Sequence, residues 1–91
     1  MAQVYVTLKI MPDSPETNLD KITDEATILV KEFGGSIHHS EQKPVAFGLK
    51  QIELTFIMDE DIGSTDKLEE QIAKVEGVTS VNVIDVRRAI G

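Results

Sequence analysis

Residues 49–61, "LKQIELTFIMDED", decide the fold because their apolar side chains recur at every second position. This period of two is typical of a β-strand that packs one face on a core. One face of the predicted strand carries the apolar side chains of Ile52, Leu54, Phe56 and Met58. The other face carries Gln51, Glu53, Thr55 and Ile57. We name this strand, the longest one predicted, β3 from its place in the chain.

The first part of the chain repeats this pattern and then changes its period. Residues 3–12, "QVYVTLKIMP", alternate in the same way and predict strand β1, ended by Pro12. Apolar residues then recur at helical spacing over 18–33, which predicts helix α1. Thr17 or Asn18 is placed to cap its start, and the Gly34-Gly35 pair is placed to end it.

Residues 36–43, "SIHHSEQK", are mostly polar, with Ile37 as the one large apolar side chain. We predict a short edge strand here, β2, because edge strands are commonly polar. His38 and His39 are the only histidines of the chain. Neighbouring strand residues point to opposite faces, so we expect no metal site from this pair.

The last third of the chain predicts a second helix and a fourth strand. Helix α2 follows a cap at Ser64 or Thr65 and ends at Gly77, with a buried stripe of Leu68, Ile72 and Val75. Strand β4 covers residues 78–88, "VTSVNVIDVRR". Its apolar residues change face between Val83 and Ile84, which indicates either a β-bulge or partial cover on both faces.

The element order is β-α-β-β-α-β, the order of the ferredoxin-like fold. We therefore predict an α+β protein with a four-stranded antiparallel sheet and two helices on one face. The clean alternation of β1 and β3 predicts that they are the central strands, with β2 and β4 at the edges. Ninety-one residues correspond to a single domain, residues 1–91.

Composition excludes several classes of function. The chain has no cysteine, which removes disulfides, thiol catalysis and zinc sites built on cysteine. Its net charge is −7, with 16 acidic and 9 basic residues, so we expect no direct nucleic-acid binding and a basic protein as partner. No signal peptide or membrane-length apolar run is visible. We expect a soluble cytoplasmic protein without membrane contact.

Motifs for catalysis or cofactor binding are also missing from the sequence. It contains no G-x-S-x-G nucleophile motif, and Gly34-Gly35 follows a helix rather than preceding one as a phosphate loop does. The acidic stretch "DEDIGSTD" lacks the ligand spacing of a calcium loop and suits a solvated turn. We expect no metal, no cofactor, no bound nucleotide and no enzymatic activity.

Two stretches remain as candidate binding sites: "KPVAFGLK", residues 43–50, and "DVRRAIG", residues 85–91. Composition alone favours a Phe47 side chain that is tucked into the hairpin as an anchor. It likewise favours a solvated strand end for Arg87 and Arg88.

The segment "PVAFGLK", residues 44–50, matches the pattern P-[IV]-[AG]-[FY]-G-[IL]-K without a gap. With "LEEQI" and "VEGVTSVNVIDVRR" further on, the chain resembles the archaeal elongation factor 1-beta family and the exchange domain of eukaryotic elongation factor 1-beta. The resemblance implies a guanine-nucleotide exchange factor for the GTPase elongation factor 1-alpha. Such a factor binds the GDP-loaded GTPase and disturbs its Mg²⁺ and phosphate site.

The resemblance also implies which residues bind the partner. In the eukaryotic relatives the loop aromatic inserts near the nucleotide site, and Phe47 occupies the matching position. The implied partner-binding residues are Pro44, Phe47, Gly48, Lys50, Arg87 and Arg88. Eukaryotic members end with a penultimate lysine that reaches the Mg²⁺ site, whereas this chain ends "RRAIG". Arg88 is the nearest cation, so either an arginine takes part of this role or the loop carries most of it.

Two other functions are compatible with the sequence. One is a small-molecule-sensing regulatory module of ferredoxin-like fold, which would bind a ligand such as a free amino acid. The other is a structural subunit that tethers the GTPase without speeding GDP release.

Overall fold

The computed structural model describes residues 2–89, so Ile90 and Gly91 of the C-terminal stretch lie outside the described residues. The elements are β1 (Gln3–Pro12), α1 (Leu19–Phe33), β2 (Ser36–Pro44), β3 (Lys50–Asp59), α2 (Asp66–Ala73) and β4 (Val78–Arg88). All strand pairs are antiparallel and form one sheet in the order β2-β3-β1-β4. The predicted ferredoxin-like α+β fold, with β1 and β3 at its centre, is confirmed.

One face of the sheet forms the core with both helices. Along β1 and β3 the buried residues stand opposite one another, as in the pairs Val6–Phe56 and Leu8–Leu54. The helices add a stripe of fully or almost fully buried residues, which are Ile22, Ala26, Val30, Leu68 and Ile72. Among residues 2–89 no helix covers the opposite face of the sheet, which is mostly polar and has a hydrogen bond of 2.9 Å between the hydroxyl groups of Thr7 and Thr55.

The ends of α1 follow the predicted signals. Asn18 is the N-cap, and its side-chain oxygen accepts a hydrogen bond from the backbone N–H of Lys21 at 3.2 Å. Gly34 ends the helix in the left-handed conformation, with φ of 110°. Gly35 then brings the chain close to the core, because a Cβ atom there would lie 3.0 Å from side-chain atoms of both Val30 and Phe56.

Helix α2 is shorter than the sequence predicted. It ends at Ala73 rather than near Gly77, because the N–H of Val75 turns back to the carbonyl of Ile72 and closes a tighter turn. Val75 still packs against the core from outside the helix. Thr65 is the N-cap residue, but its side chain makes no cap hydrogen bond; the Ser64 hydroxyl instead accepts a 3.1 Å hydrogen bond from the N–H of Asp66.

Strand β4 contains the β-bulge that its sequence pattern indicated. Val83 stands opposite Leu8 and Asp85 stands opposite Thr7, so Ile84 is an extra residue in the ladder. The extra residue restores the alternation, and it places Val83 and Val86 on the same face although their numbers differ in parity.

The expectation that His38 and His39 point to opposite faces is wrong. Strand β2 shifts register between Ile37 and His39, which makes His38 an extra residue like Ile84 in β4. The His38 ring contacts Tyr5 edge-on at a centroid distance of 5.0 Å, and His39 pairs with Thr55. Both histidines therefore lie on the open face. Residues 2–89 contain no group of three or more metal-ligating side chains.

Neither helix in the described range has the length and continuous apolar character of a membrane span.

The core can be tested with a matched pair of Ile→Ala substitutions. Ile10 is fully buried on β1, whereas Ile28 on α1 is 56 % exposed. We expect Ile10→Ala to lower the free energy of unfolding by about 2–5 kcal/mol. Ile28→Ala should change it by less than about 0.5 kcal/mol, because little apolar area is lost and alanine favours helices. Denaturant unfolding measures both values, and equal losses would contradict this description of the core.

Candidate functional site

The β2–β3 hairpin ends in a tight loop from Val45 to Leu49. The N–H of Val45 donates to the carbonyl of Leu49 at 2.8 Å, and the N–H of Leu49 donates to the carbonyl of Ala46 at 3.3 Å. The two residues at the tip, Phe47 and Gly48, have positive φ values of 64° and 76°. Two successive positive φ angles are typical of a type I′ turn, whose twist matches that of the flanking strands.

Phe47 is the one residue other than glycine with positive φ among residues 2–89. Its side chain is 93 % exposed, so the interpretation of Phe47 as an anchor tucked into the hairpin is wrong. A bulky residue in the left-handed region carries a strain of about 1–3 kcal/mol. Burial does not offset that strain here. Such unoffset strain is concentrated at functional sites, which marks Phe47 as a binding candidate.

The two lysines that flank the loop lie on opposite faces of the hairpin. Pro44 and Lys50 form the last pair before the loop, and Lys50 is in phase with the buried Ile52 on the side of the helices. There it lines a groove between the loop and the start of α1. Lys43 pairs with Gln51 and therefore lies on the open face. Within the part of the chain that the structure describes, Lys50 forms no ion pair.

Lys43 is held between two glutamates. Its Nζ atom lies 3.2 Å from an oxygen of Glu53 and 3.5 Å from an oxygen of Glu41. The second oxygen of Glu53 accepts a 2.7 Å hydrogen bond from the side-chain amide of Gln51. The hydrogen bond to Glu53, together with the negative charges of Glu53 and Glu41, raises the pKa of Lys43 above its usual 10.5.

The other two candidate residues lie at the far end of β4. Arg87 stands opposite Tyr5 on the open face, and its Nε atom lies 2.9 Å from a carboxylate oxygen of Asp85. Arg88 stands opposite Val4 on the side of the helices. Its Nη2 atom donates to a carboxylate oxygen of Glu60 at 2.5 Å. Both guanidinium groups are exposed, but each is held by a carboxylate of this chain.

The structure brings four of the six candidates together and places the other two at the opposite end of the sheet. Along β1, Arg88 is opposite Val4, whereas the hairpin leaves β1 beyond Ile10. Eight strand residues at about 3.3 Å each, plus the loop, separate Phe47 from Arg88 by about 30 Å. This distance is a large part of the 42 Å longest dimension of the molecule.

Sequence reasoning missed two carboxylates of the site, Glu53 and Glu60. A signal for Glu53 was available, because pairing Pro44 with Lys50 also places Glu41 opposite Glu53. Two facing carboxylates repel each other, so a cation between them is expected, and Lys43 is the nearest cation in the sequence. No signal pointed to Glu60, since it contacts Arg88 across 28 positions of the chain.

These groups are suited to binding a partner. The loop offers an exposed aromatic ring and an ammonium group, and the far end offers two guanidinium groups that match phosphate or carboxylate oxygens. Among residues 2–89, no titratable group is buried. A partner that fits both ends would present an apolar pocket and an anionic site about 30 Å apart.

Comparison with known families and curated proteins gives a consistent result. Residues 5–89 match the family described as the EF-1 guanine nucleotide exchange domain. The chain is 34 % identical over 88 residues to elongation factor 1-beta of Methanothermobacter thermautotrophicus, with 97 % of this chain and 98 % of that protein covered. It is 41 % identical over 90 residues to elongation factor 1-beta of Saccharolobus solfataricus, with 97 % of both chains covered.

Solved structures of similar shape support the fold alone. The ACT domain from GTP pyrophosphokinase of Chlorobium tepidum superposes with a TM-score of 0.61 at 18 % identity, covering 90 % of this chain and 99 % of that one. The de novo designed protein Foldit4 gives a TM-score of 0.63, also at 18 % identity, with 98 % of both chains covered. At this identity the ACT domain carries no argument for a small-molecule ligand.

The strain at Phe47 can be measured through stability. We expect Phe47→Asn to raise the free energy of unfolding by up to about 1 kcal/mol, because asparagine adopts the left-handed conformation more readily. Phe47→Ala is the matched control, since it removes the ring and keeps a Cβ atom, and it should leave stability nearly unchanged. Urea unfolding compares the three proteins. A marked loss of stability in both variants would instead show that the ring is packed in solution.

The Lys43 bridge can be measured through the titration of its side chain. A lysine with a raised pKa contributes stability that is complete below pH 10.5 and is lost as pH rises through the folded-state pKa. We expect the NMR titration midpoint of Lys43 to lie above 10.5 and to fall toward it in Glu53→Gln. An identical midpoint in the two proteins would show that Glu53 does not hold the ammonium group.

Proposed function

Because this chain belongs to the family of EF-1 guanine nucleotide exchange domains, we propose that it promotes the exchange of GDP for GTP on elongation factor 1-alpha. In this proposal residues 1–91 act as one exchange-factor domain that binds the GTPase and disturbs its Mg²⁺ and phosphate site. The chain itself binds no nucleotide or cofactor and makes or breaks no covalent bond. The observation that carries the proposal is the strained, exposed Phe47 within the family match over residues 5–89.

The distance between the two candidate ends argues for two separate contacts on the GTPase. A site that holds a small ligand has a volume of about 300–1,000 Å³, so it is on the order of 10 Å across. Phe47 and Arg88 are about 30 Å apart along the sheet and cannot both enter such a site. One end therefore acts at the Mg²⁺ and phosphate site, while the other holds the GTPase elsewhere.

The chemistry of the ends favours a division of roles. A phenylalanine ring contributes apolar contact and suits a pocket on the partner, where it serves as an anchor. A guanidinium group matches phosphate oxygens and can replace part of the positive charge of Mg²⁺. The resemblance implies that the loop aromatic inserts near the nucleotide site, but only one end can reach the Mg²⁺ and phosphate site. We therefore depart from that expectation and assign anchoring to Phe47, supported by Pro44, Gly48 and Lys50. We assign the disturbance of the Mg²⁺ and phosphate site to Arg88, and we assign to Arg87, on the opposite face of β4, a contact with the adjoining surface of the GTPase.

The free energy needed to weaken GDP binding is similar to what a few contacts with the partner can supply. An exchange factor must bind the nucleotide-free GTPase more tightly than the GDP-bound form, and by linkage it weakens GDP binding by the same factor. A thousandfold weakening corresponds to about 4 kcal/mol. A central aromatic anchor contributes about 2–4 kcal/mol when measured by truncation. The net charge of −7 adds long-range attraction to a basic partner.

The proposal is tested by the release of fluorescent GDP from elongation factor 1-alpha in a stopped-flow instrument. We expect catalytic amounts of the protein to accelerate release. Phe47→Ala should raise the half-saturating concentration by about thirtyfold or more, because it removes anchoring energy. Arg88→Ala should lower the maximal rate by about ten- to a hundredfold, because it removes a charged contact made at the phosphate site.

Ile28→Ala is the control for these variants, since Ile28 is an exposed apolar residue on α1 away from both ends. Its exchange kinetics should equal those of the wild type. Binding of the GTPase without faster GDP release would favour a tethering subunit over an exchange factor. If both variants changed the same kinetic constant in the same proportion, the division of roles between the two ends would be wrong.

A further inference from the structure

We propose that Lys43 and Glu53 are positioning residues, which hold the hairpin so that Phe47 meets the GTPase in a fixed orientation. This inference rests on the proposed function and concerns the hairpin arm, which we define as residues 40–53. Lys43 does not contact the GTPase in this proposal. It acts on exchange only through Phe47.

The hairpin arm has little apolar support. None of the residues 40–51 is buried, and the last buried side chain of β3 toward the loop is Ile52. On the side of the helices, the described tether is a hydrogen bond of 3.3 Å from the Gln42 side-chain amide to a carboxylate oxygen of Asp20. Ile52 is the last residue of β3 that pairs with β1, so beyond it the arm consists of two strands only. Two strands without a packed face are marginally stable in water. The orientation of the arm therefore depends on polar contacts.

Besides the backbone ladder, the Lys43 bridge is a side-chain contact between the two strands of the arm on the open face. Glu41 and Glu53 stand directly opposite each other, and two facing carboxylates repel. The Lys43 ammonium lies within 3.5 Å of a carboxylate oxygen of both glutamates. Its positive charge attracts both carboxylates and so offsets their repulsion across the two strands. The side chain of Glu53 is only 16 % exposed, which strengthens its interaction with the cation.

The raised pKa of Lys43 agrees with this geometry, because it indicates that the ammonium form is stabilised by the two glutamates. Without Lys43, the Glu53 carboxylate would keep the amide of Gln51 as a partner and would face Glu41 with no cation between them. Lys9 of β1 stands opposite Glu53 on its other side, but among the described residues it forms no ion pair with Glu53. The two strands would then separate more easily at the open face. A small change of angle in the arm displaces its tip, where Phe47 is located.

The orientation of the hairpin affects binding because the Phe47 side chain is exposed. Its position is therefore set by the backbone of the loop and by the strands that carry the loop. A side chain that is already ordered in its bound geometry loses less entropy on binding. A looser arm would leave the ring chemically intact and lower its affinity for the pocket. The expected defect is therefore in binding of the GTPase rather than in the maximal rate of GDP release.

The test is a double-mutant cycle between Lys43→Met and Phe47→Ala in the GDP-release assay. Lys43→Met should raise the half-saturating concentration about two- to fivefold and leave the maximal rate unchanged, as expected for a partly exposed ion pair. In the Phe47→Ala background, Lys43→Met should have no further effect. Lys43→Arg keeps a cation between the glutamates and should restore wild-type kinetics.

Lys67→Met makes the same change of charge on α2, away from the arm, and serves as the control for long-range electrostatics. Equal effects of Lys67→Met and Lys43→Met would overturn the proposal in favour of net charge. An undiminished effect of Lys43→Met in the Phe47→Ala protein would also overturn it, because Lys43 would then contact the GTPase directly.

A second measurement needs no GTPase and separates failure of this inference from failure of the proposed function. NMR relaxation of the free protein reports the order of backbone amides in residues 45–49. We expect Lys43→Met and Glu53→Gln to lower this order, while α1 and the unfolding free energy of the core stay close to wild type. Unchanged loop order in both variants would overturn the positioning role, whatever the exchange assay shows.

Discussion

The pairing of β1 with β3 is the constraint on which the rest of the molecule depends. From Val4–Met58 to Ile10–Ile52 the register is unbroken, and it places every buried side chain of the two strands on one face. A shift by one residue would move this apolar set into water. The same pairing fixes the positions of the two ends proposed to bind the partner, because the hairpin arm extends beyond Ile52 and Arg88 stands opposite Val4. The central ladder thus sets the distance between Phe47, the proposed anchor, and the two arginines.

The hairpin tip combines low local stability with defined geometry. Phe47 contributes strain and no buried area, so its conformation comes from the turn and from the strands that carry it. The polar bridge of Lys43 with Glu41 and Glu53 stabilises those strands where the core no longer reaches them. This arrangement agrees with the binding role proposed for Phe47, because residues at functional sites often lower stability and depend on their supporting residues for orientation.

The sequence predicted those features that depend on periodicity and local signals. Strand order, the burial of Leu54 and Phe56, the Asn18 cap and a disturbance in β4 all follow from spacing and side-chain type. The bulge at His38 could not be predicted, because a polar edge strand shows no apolar alternation that would reveal an extra residue. The early end of α2 depends on a single turn after Ala73, and helix boundaries respond to such small differences.

The candidate site was predictable in composition and not in arrangement. The family motif singled out the loop, and the charge pattern singled out Arg87 and Arg88. Their separation required the sheet register, and the contact of Glu60 with Arg88 required the tertiary structure. Contact at both ends at once is the central claim, and chemical-shift mapping with GDP-loaded elongation factor 1-alpha tests it directly. We predict changes in residues 45–49 and 86–89 together, with the outer faces of the helices unaffected; changes confined to one end, or centred on the helices, would contradict the claim.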